Sequence, residues 1–524
     1  MEEFLKKAAE VNDAINTFVW VKIGIIILIG AGILMTVATK FFQLSHIKMW
    51  WKNTVGSMFR KNVIGHDFKD KKSISPFQAL CTALAATIGT GNIAGVAAAI
   101  CLGGPGAVFW MWLAAFFGMM TNYSENVLGI FFRRRNKNGE WSGGAMYYLE
   151  DGLGGYKTKS QALNKVIKAV GKVLAILFSI FAILASFGIG SMGQVNKIVS
   201  NIVSAFPIDS IKGITVLGGV DIYSLILGII LMALAAIIII GGLKRIASFA
   251  EKVVPFMVIL FILGSFVVIG KNYRNILPAF GQIFSNAFST KAFGGGVTGV
   301  FIAKVVTQGC KRGVFSNEAG LGSSVMVHSN STVKEPVTQG MWGIFEVFAD
   351  TIIVCTITAL VVLTSGLYTN DILANPNAAD ISATLVADAF NDVFPWYNIG
   401  KRFVAIAMFL FAFTTVLGWS HYGTKAWEYL FGTKSTLVFK IIHIITIVFG
   451  SILTSSLAWD ISDTFNGLMM MPNLIGVIAL MPLVARITKN YIDRHKRGKN
   501  IKPILSFDEK TQAEMEKELA ENPD

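Results

Sequence analysis

The chain has 524 residues, 53% of them hydrophobic and only 15% charged, with a mean hydropathy of +0.58; soluble domains carry roughly 25% charged residues, so an ordinary water-soluble globule is excluded. Its formal charge of +14 sits in short basic clusters between apolar stretches rather than on one face, which sets nucleic acid aside and suits the cytoplasmic loops of a membrane protein. Cys81, Cys101, Cys310 and Cys355 lie in or beside apolar stretches without paired spacing, so neither disulfides nor a metal cluster are expected.

In chain order, the first apolar stretch covers residues 18–38. It is long, follows a mixed-charge segment and lacks a small-residue cleavage site, so it reads as a retained helix, with Lys22 snorkelling to the interface. A basic and aromatic connector over residues 40–73, with Lys48, Lys52, Arg60, Lys61 and Lys69 to Lys72, reads as cytoplasmic. Five spans follow at about residues 76–101, 107–132, 171–205, 222–241 and 247–269, with basic ends at Arg133-Arg134-Arg135 and Lys244-Arg245. Five more lie at about residues 292–309, 337–364, 403–423, 437–457 and 463–487. At ~1.5 Å per residue, stretches of about 20 residues cross a hydrocarbon core of ~30 Å. The expected fold is therefore all-α, with about eleven transmembrane helices.

Counting basic connectors places the N-terminus outside and the tail from Lys489 in the cytoplasm, where its composition reads as soluble and partly disordered. The expected organisation is residues 1–72 as external N-terminus, additional helix and connector, residues 73–270 and 271–488 as two five-helix repeats, and residues 489–524 as tail. If the first five spans start inside, the second five start outside, so the two sets are inverted. Such repeats recur in secondary transporters, with the first helix of each set interrupted near mid-membrane.

Both interruptions are visible as glycine clusters, Gly89-Thr90-Gly91-Asn92 and Gly294-Gly295-Gly296. Irregular backbone in lipid leaves peptide groups unsatisfied at several kcal/mol each, so it survives only when enclosed by protein or lining a cavity. Half-helix N-termini then suit an anionic group, while freed carbonyls suit a cation. A zwitterionic amino acid together with sodium meets both needs. Single glycine clusters in membrane helices more often serve packing; two at corresponding positions of inverted sets, one beside the polar Asn92, point to binding.

Ionisable residues inside apolar spans cost ~2.5–3.5 kcal/mol at the bilayer centre, and Glu125, Lys304, Glu346 and Asp350 are of this kind. Lys304 could pair with Glu346 or Asp350, or one of the acids could bind a proton, but the favoured placement is interfacial or cavity-facing near a helix end. Asn317 and Glu318 follow a basic pair and are expected to organise a cytoplasmic helix end or gate.

The run from Gly103 to Gly118, GGPGAVFWMWLAAFFG, resembles in full a signature of the alanine or glycine:cation symporter family. So do Gly89-Thr90-Gly91-Asn92-Ile93, the run from Arg312 to Ser323, and Asp350-Thr351 with Cys355-Thr356; the likeness extends over roughly residues 73–488. It implies a leucine-transporter-type fold of ten core helices preceded by one additional helix, in the cell membrane. It also implies sodium- or proton-coupled import of alanine or glycine. By this resemblance the cation sits on the carbonyls of Ala85, Ile88 and Phe411 and the hydroxyls of Thr414 and Thr415. Both threonine hydroxyls could equally serve their own helix backbone.

For the substrate, the amides of Gly89, Thr90 and Gly91 would meet the carboxylate, and Asn92 or Gln194 would add side-chain contacts. Carbonyls near Gly294, Gly295 and Gly296 would meet the ammonium, while Phe293 and Trp419 would limit side-chain room. Ser191 stands where this family often carries Asn, so the likeness is less complete there.

No cofactor is expected beyond sodium as the coupling ion. An enzyme would need a convergent nucleophile, acid–base pair or metal cluster, and the six histidines are scattered. A channel would need a filter loop or charged ring, and the sequence shows neither.

Overall fold

The computed structural model describes residues 2–58, 72–155, 159–208, 211, 214–216, 220–288, 298–375, 378–453 and 456–521. Helices dominate, with two short antiparallel hairpins, Arg134–Arg135 with Trp141–Ser142 and Thr215–Val216 with Val220–Asp221. In chain order the main helices are α1 (Ala9–Ala38), α2 (Pro76–Thr87), α3 (Gly91–Gly103), α4 (Ala107–Phe131), α5 (Gln161–Ala205), α6 (Ile222–Ile239) and α7 (Gly242–Lys271). They continue as α8 (Ile276–Ala287), α9 (Thr298–Asn317), α10 (Pro336–Thr364), α11 (Ala378–Val393), α12 (Ile399–Phe431) and α13 (Thr436–Ile452). The last three are α14 (Ser456–Ala479), α15 (Met481–His495) and α16 (Glu509–Glu521).

Several starts follow directly from local chemistry. Ser75 Oγ accepts from the Gln78 amide at 3.0 Å and Gln78 Oε1 accepts from the Ser75 amide at 3.1 Å, a reciprocal cap with Pro76 at the first helical position of α2. Asp221 caps α6 through the Ser224 amide at 2.8 Å, and Pro336 opens α10.

Among the described residues, seven helices are long and apolar enough to cross a membrane, or nine if the bent pairs α2–α3 and α14–α15 each count once. The two other expected spans are helical as α4 and α9 but less apolar. In α4 the reason is enclosure. It packs between α1, α9 and α10, so Asn122, Ser124, Glu125 and Asn126 face protein rather than lipid. Gly294, Gly295 and Gly296, the expected second interruption, lie outside the described residues, as does Phe293.

The tail departs from expectation. Residues after Lys489 continue α15 and then dock rather than trailing as a partly disordered segment. The Phe507 amide donates to the Phe131 carbonyl at 3.0 Å, and Leu505 and Met515 pack on Trp141. Apolar burial of this kind holds α16 even though its composition is highly charged.

At the centre, α2 lies against α7 and α12, while α3 lies against α9 and α11. A Cβ added to Gly418 of α12 would fall 2.7 Å from the Ala86 Cβ of α2, so this glycine allows the two helices their close approach.

Candidate substrate and cation site

The α2–α3 helix is broken where the glycines predict. α2 ends at Thr87, Ile88 leaves the helical region with ψ 87°, and the chain resumes at Gly91 with a bend of 55°. The whole stretch from Thr87 to Ile93 is buried within the protein. Its amides are diverted to side chains: Gly89 N–H donates to Asn92 Oδ1 at 3.0 Å and Thr90 N–H to Gln194 Oε1 at 3.2 Å. The carbonyls of Ala85 and Ala86, four residues upstream, thereby lose their helical donors. Two hydroxyls at the break, Thr87 Oγ1 and Thr90 Oγ1, are buried without a hydrogen-bond partner, a costly arrangement that a bound polar group would relieve.

α12 faces this break. Thr414 Oγ1 and Thr415 Oγ1 both donate to the Phe411 carbonyl, at 2.9 and 3.0 Å. Each hydroxyl therefore serves its helix and still keeps oxygen lone pairs free. A Cβ on Gly89 would lie 2.5 Å from Thr415 Oγ1 and 3.2 Å from Gln194 Oε1, so a glycine is what lets the break touch α12 and α5 together. Of the expected residues, Gly89, Thr90 and Asn92 of the α2–α3 break thus meet Gln194 of α5 and Thr415 of α12, while Ala85, Ile88, Phe411 and Thr414 lie within one turn of these along the chain. Gly91 sits on the opposite side of the break, 3.1 Å from Phe315 by its projected Cβ.

α5 has its own irregularity, a π-helical turn over Gly188–Met192 just before Gln194, and such turns often mark functional sites. Trp419 packs on it. A Cβ on Gly190 would fall 2.4 Å from the Trp419 Cβ, and the indole N–H donates to Glu318 Oε1 at 2.8 Å. Trp419 is therefore an interior ring packed on α5 and not a lipid-facing one.

The ionisable residues are placed differently from expectation. Glu125, Glu346 and Asp350 are 0% exposed and lie deep in the protein rather than at an interface. Lys304 is exposed and pairs with neither acid. Asp350, in the π-helical turn Phe348–Cys355 of α10, instead accepts from Asn92 Nδ2 at 2.7 Å, Ser316 Oγ at 2.7 Å and Thr351 Oγ1 at 2.8 Å. Asn317 and Glu318 do end a helix, but inside the protein: Asn317 turns the chain after α9, its Oδ1 accepting from the Ala319 amide at 3.0 Å, and Glu318, with φ 55°, accepts from Ser323 and Trp419. The Asn92–Asp350 link is a site feature that sequence reasoning missed; an aspartate within an apolar run was its only local sign.

Beyond the break, a cavity of about 410 Å³ opens on the side of the basic loops, bordered by Ser420, His421 and Thr424 of α12, the α6–α7 turn at Gly241–Lys244, Lys72 and Lys440. A helix break enclosed in protein, with its amides diverted to side chains, describes a membrane carrier rather than a hydrolytic or redox centre.

Comparison with known proteins resolves the class further. The description "Sodium:alanine symporter family" matches residues 5–504, extending the likeness seen in the sequence to both sides. The sodium/alanine symporter AgcS of Methanococcus maripaludis is 40% identical over 490 residues, covering 93% of this chain and 98% of that one. A probable sodium/glutamine symporter, GlnT of Bacillus subtilis, is 35% identical over 486 residues, covering 93% and 91%. Among solved structures, MhsT in complex with L-phenylalanine aligns with a TM-score of 0.49 and 13% identity over 80% of this chain and 98% of that one. The chain belongs to the sodium:alanine symporter family. It is a multi-pass membrane transporter that couples amino-acid movement to sodium, and not an enzyme.

Proposed function

We propose that this symporter imports a small neutral amino acid, alanine or glycine, with sodium, by alternating access around the α2–α3 break. The observation that carries the reading is the break itself, enclosed in protein, with diverted amides, freed carbonyls and the Thr414–Thr415 hydroxyls on one spot. The sodium ion is assigned to the carbonyls of Ala85, Ile88 and Phe411 and the hydroxyls of Thr414 and Thr415, all hard oxygens suited to a monovalent cation. The substrate carboxylate is assigned to the amides of Gly89, Thr90 and Gly91. Asn92 Oδ1 and Gln194 Oε1 hold two of these amides, and a carboxylate oxygen would replace the neutral amide oxygens with a stronger, charge-assisted acceptor. Trp419 closes the side-chain end and excludes bulky substrates. Phe293, Gly294 and Gly295 are assigned to the ammonium and side-chain walls on the resemblance alone.

A neutral solute has no electrical drive of its own. One sodium ion entering down ~100 mV releases ~2.3 kcal/mol, and a tenfold gradient adds ~1.4 kcal/mol, enough for at most roughly 500-fold accumulation. The bent α2–α3 pair would rock against its surroundings to expose the site on alternate sides, with the cavity bordered by His421 and Thr424 as the cytoplasmic vestibule and the C-terminus on that side. The decisive assay is radiolabelled alanine and glycine uptake into proteoliposomes with and without an inward sodium gradient. Concentrative uptake is expected only with the gradient; equal uptake driven by a proton gradient without sodium overturns the coupling assignment. Asn92→Ala and Thr415→Ala should each lower uptake at least tenfold, and unchanged transport in both removes the site assignment.

A further inference from the structure

The cavity on the side of the basic loops lies where two helix turns meet. α6 runs along α13, and the short connection from α6 to α7 borders the cavity together with Thr433 and Thr436, where α13 begins. Gly242 takes φ 73°, and a Cβ there would lie 3.8 Å from Lys440 Nζ, so the backbone of the α6–α7 turn comes up against the Lys440 ammonium.

Charge is unevenly shared around this space. Among the described residues lining it, Lys72, Lys244, Lys425 and Lys440 stand against Glu140 and Glu428. Lys425 and Glu428 cancel, because they pair at 3.1 Å, and the Trp141 carbonyl and Ser142 hydroxyl, each at 3.2 Å, complete the ammonium's partners. Lys72 donates to the Asn138 carbonyl. Lys440 has nothing comparable. It is half-buried, the charges it feels are those of Glu140 and Lys425, and among the described residues it makes no hydrogen bond or ion pair. Glu140 instead accepts from Asn136 Nδ2 at 3.3 Å. A cation drawn partly out of water without a counterion is unfavourable, so this wall keeps an unmet demand for an anion.

The setting decides which anion. Ile237 and Ile240 at the end of α6, and Leu437 and Ile441 at the start of α13, are exposed apolar side chains, which in a membrane protein meet acyl chains. Ile239, Leu243 and Ile246 continue that apolar surface into the cavity. Lys440 sits one turn into α13, ~6 Å deeper than the first residue of the helix at ~1.5 Å per residue, which sets a snorkelling ammonium among lipid headgroups. A free inorganic anion leaves the apolar edge unused, whereas a phospholipid uses both surfaces.

We propose that the edge of this cavity, between the α6–α7 and α12–α13 turns, is a binding site for an anionic phospholipid of the cytoplasmic leaflet. Its phosphate rests on Lys440 and Lys244, and its acyl chains lie over Ile240, Leu437 and Ile441. Basic pockets between transmembrane helices on the cytoplasmic side take such headgroups. The site is separate from the α2–α3 break and requires neither the cargo nor the cation assignment made above.

Binding of radiolabelled dioleoyl phosphatidylglycerol to the full chain in neutral-detergent micelles tests this. Saturable binding is expected, displaced by unlabelled phosphatidylglycerol and at least tenfold less well by phosphatidylcholine or by inorganic phosphate. Equal displacement by phosphatidylcholine overturns the anionic preference, and equal displacement by inorganic phosphate assigns the lysines to a free anion and overturns the lipid. Lys440→Gln should weaken binding about fivefold, and Lys244→Gln combined with it about twenty-five-fold. Lys434, in the same turn, does not line the cavity, so Lys434→Gln should leave binding unchanged. Equal weakening by Lys434→Gln and Lys440→Gln would reveal diffuse attraction to a basic face and overturn the site. Should a variant fail to fold, the displacement series on wild type decides alone.

Discussion

Single atoms decide much of this site. Gly89 is the tightest case, because any side chain there meets Thr415 Oγ1 at 2.5 Å. Gly89→Ala should weaken the sodium dependence of transport at least as much as Thr415→Ala, and the double variant should show far less than the sum of the two losses, since both act on one contact. Sodium titrations of alanine uptake in the three variants test this. Glu335 makes a second, structural case. Burial pushes its carboxyl up, but hydrogen bonds from His495 and Arg494, together with the Arg494 charge, outweigh this and hold it below the usual carboxylate value. A depressed value means the pair stabilises the fold above the ordinary carboxylate range, near pH 4.3, and that this contribution is lost as the pH falls below it. Glu335→Ala strands the Arg494 charge and should cost about 3–5 kcal/mol near neutral pH, seen as a lower melting temperature in detergent that converges on wild type in acid.

At the level of elements, the α2–α12 contact is the one to break. Gly418→Leu would force α12 away from Ala86 and should destabilise by about 1–3 kcal/mol while separating Thr414 and Thr415 from the α2–α3 break, so alanine uptake should fall more than protein yield; equal losses would show a purely structural role. The elements were also where the sequence spoke most clearly. The break at Gly89–Asn92 was readable because glycines and an asparagine interrupt an apolar run, a local signal with a local cause. The helical character of α4 and α9 was readable as well, although enclosure relaxed their composition. Unreadable in advance was the pairing of Asn92 with Asp350, 258 residues apart, because hydrophobic periodicity says nothing about which interior face meets which. The same blindness made Glu125 and Glu346 look interfacial or cavity-facing. Their cost in lipid is plain from the sequence, but the asparagine and histidine partners that offset it come from distant helices. Charge likewise concealed the docking of α16, whose few apolar residues find Trp141.

For the whole molecule, the open question of motion becomes an accessibility experiment. Thr424 borders the cavity on α12, and the four native cysteines are all buried. Thr424→Cys should react with a membrane-impermeant thiol reagent from the cytoplasmic side, and sodium with alanine together should change that rate severalfold, whereas either alone should do so less. A rate indifferent to both would argue that the cavity does not take part in the cycle.

The docked C-terminal segment carries a consequence for biosynthesis. The hairpin strand bearing Trp141 reaches the cavity's lining residues Glu428 and Lys425 through hydrogen bonds with Ser142, yet its cover, Met515, is made about 370 residues later. At ~5–20 residues per second the ribosome needs on the order of 20–75 s to supply it. Two guanidinium groups made beside it in the sequence, Arg133 at 4.1 Å and Arg135 at 3.8 Å, already stack on the indole. Replacement of the exposed Arg135 should therefore be felt in the yield of assembled protein more than in the stability of molecules that have already matured, whereas Arg133 also donates to the carbonyls of Ser329, Ser331 and Val333 and its loss should lower both.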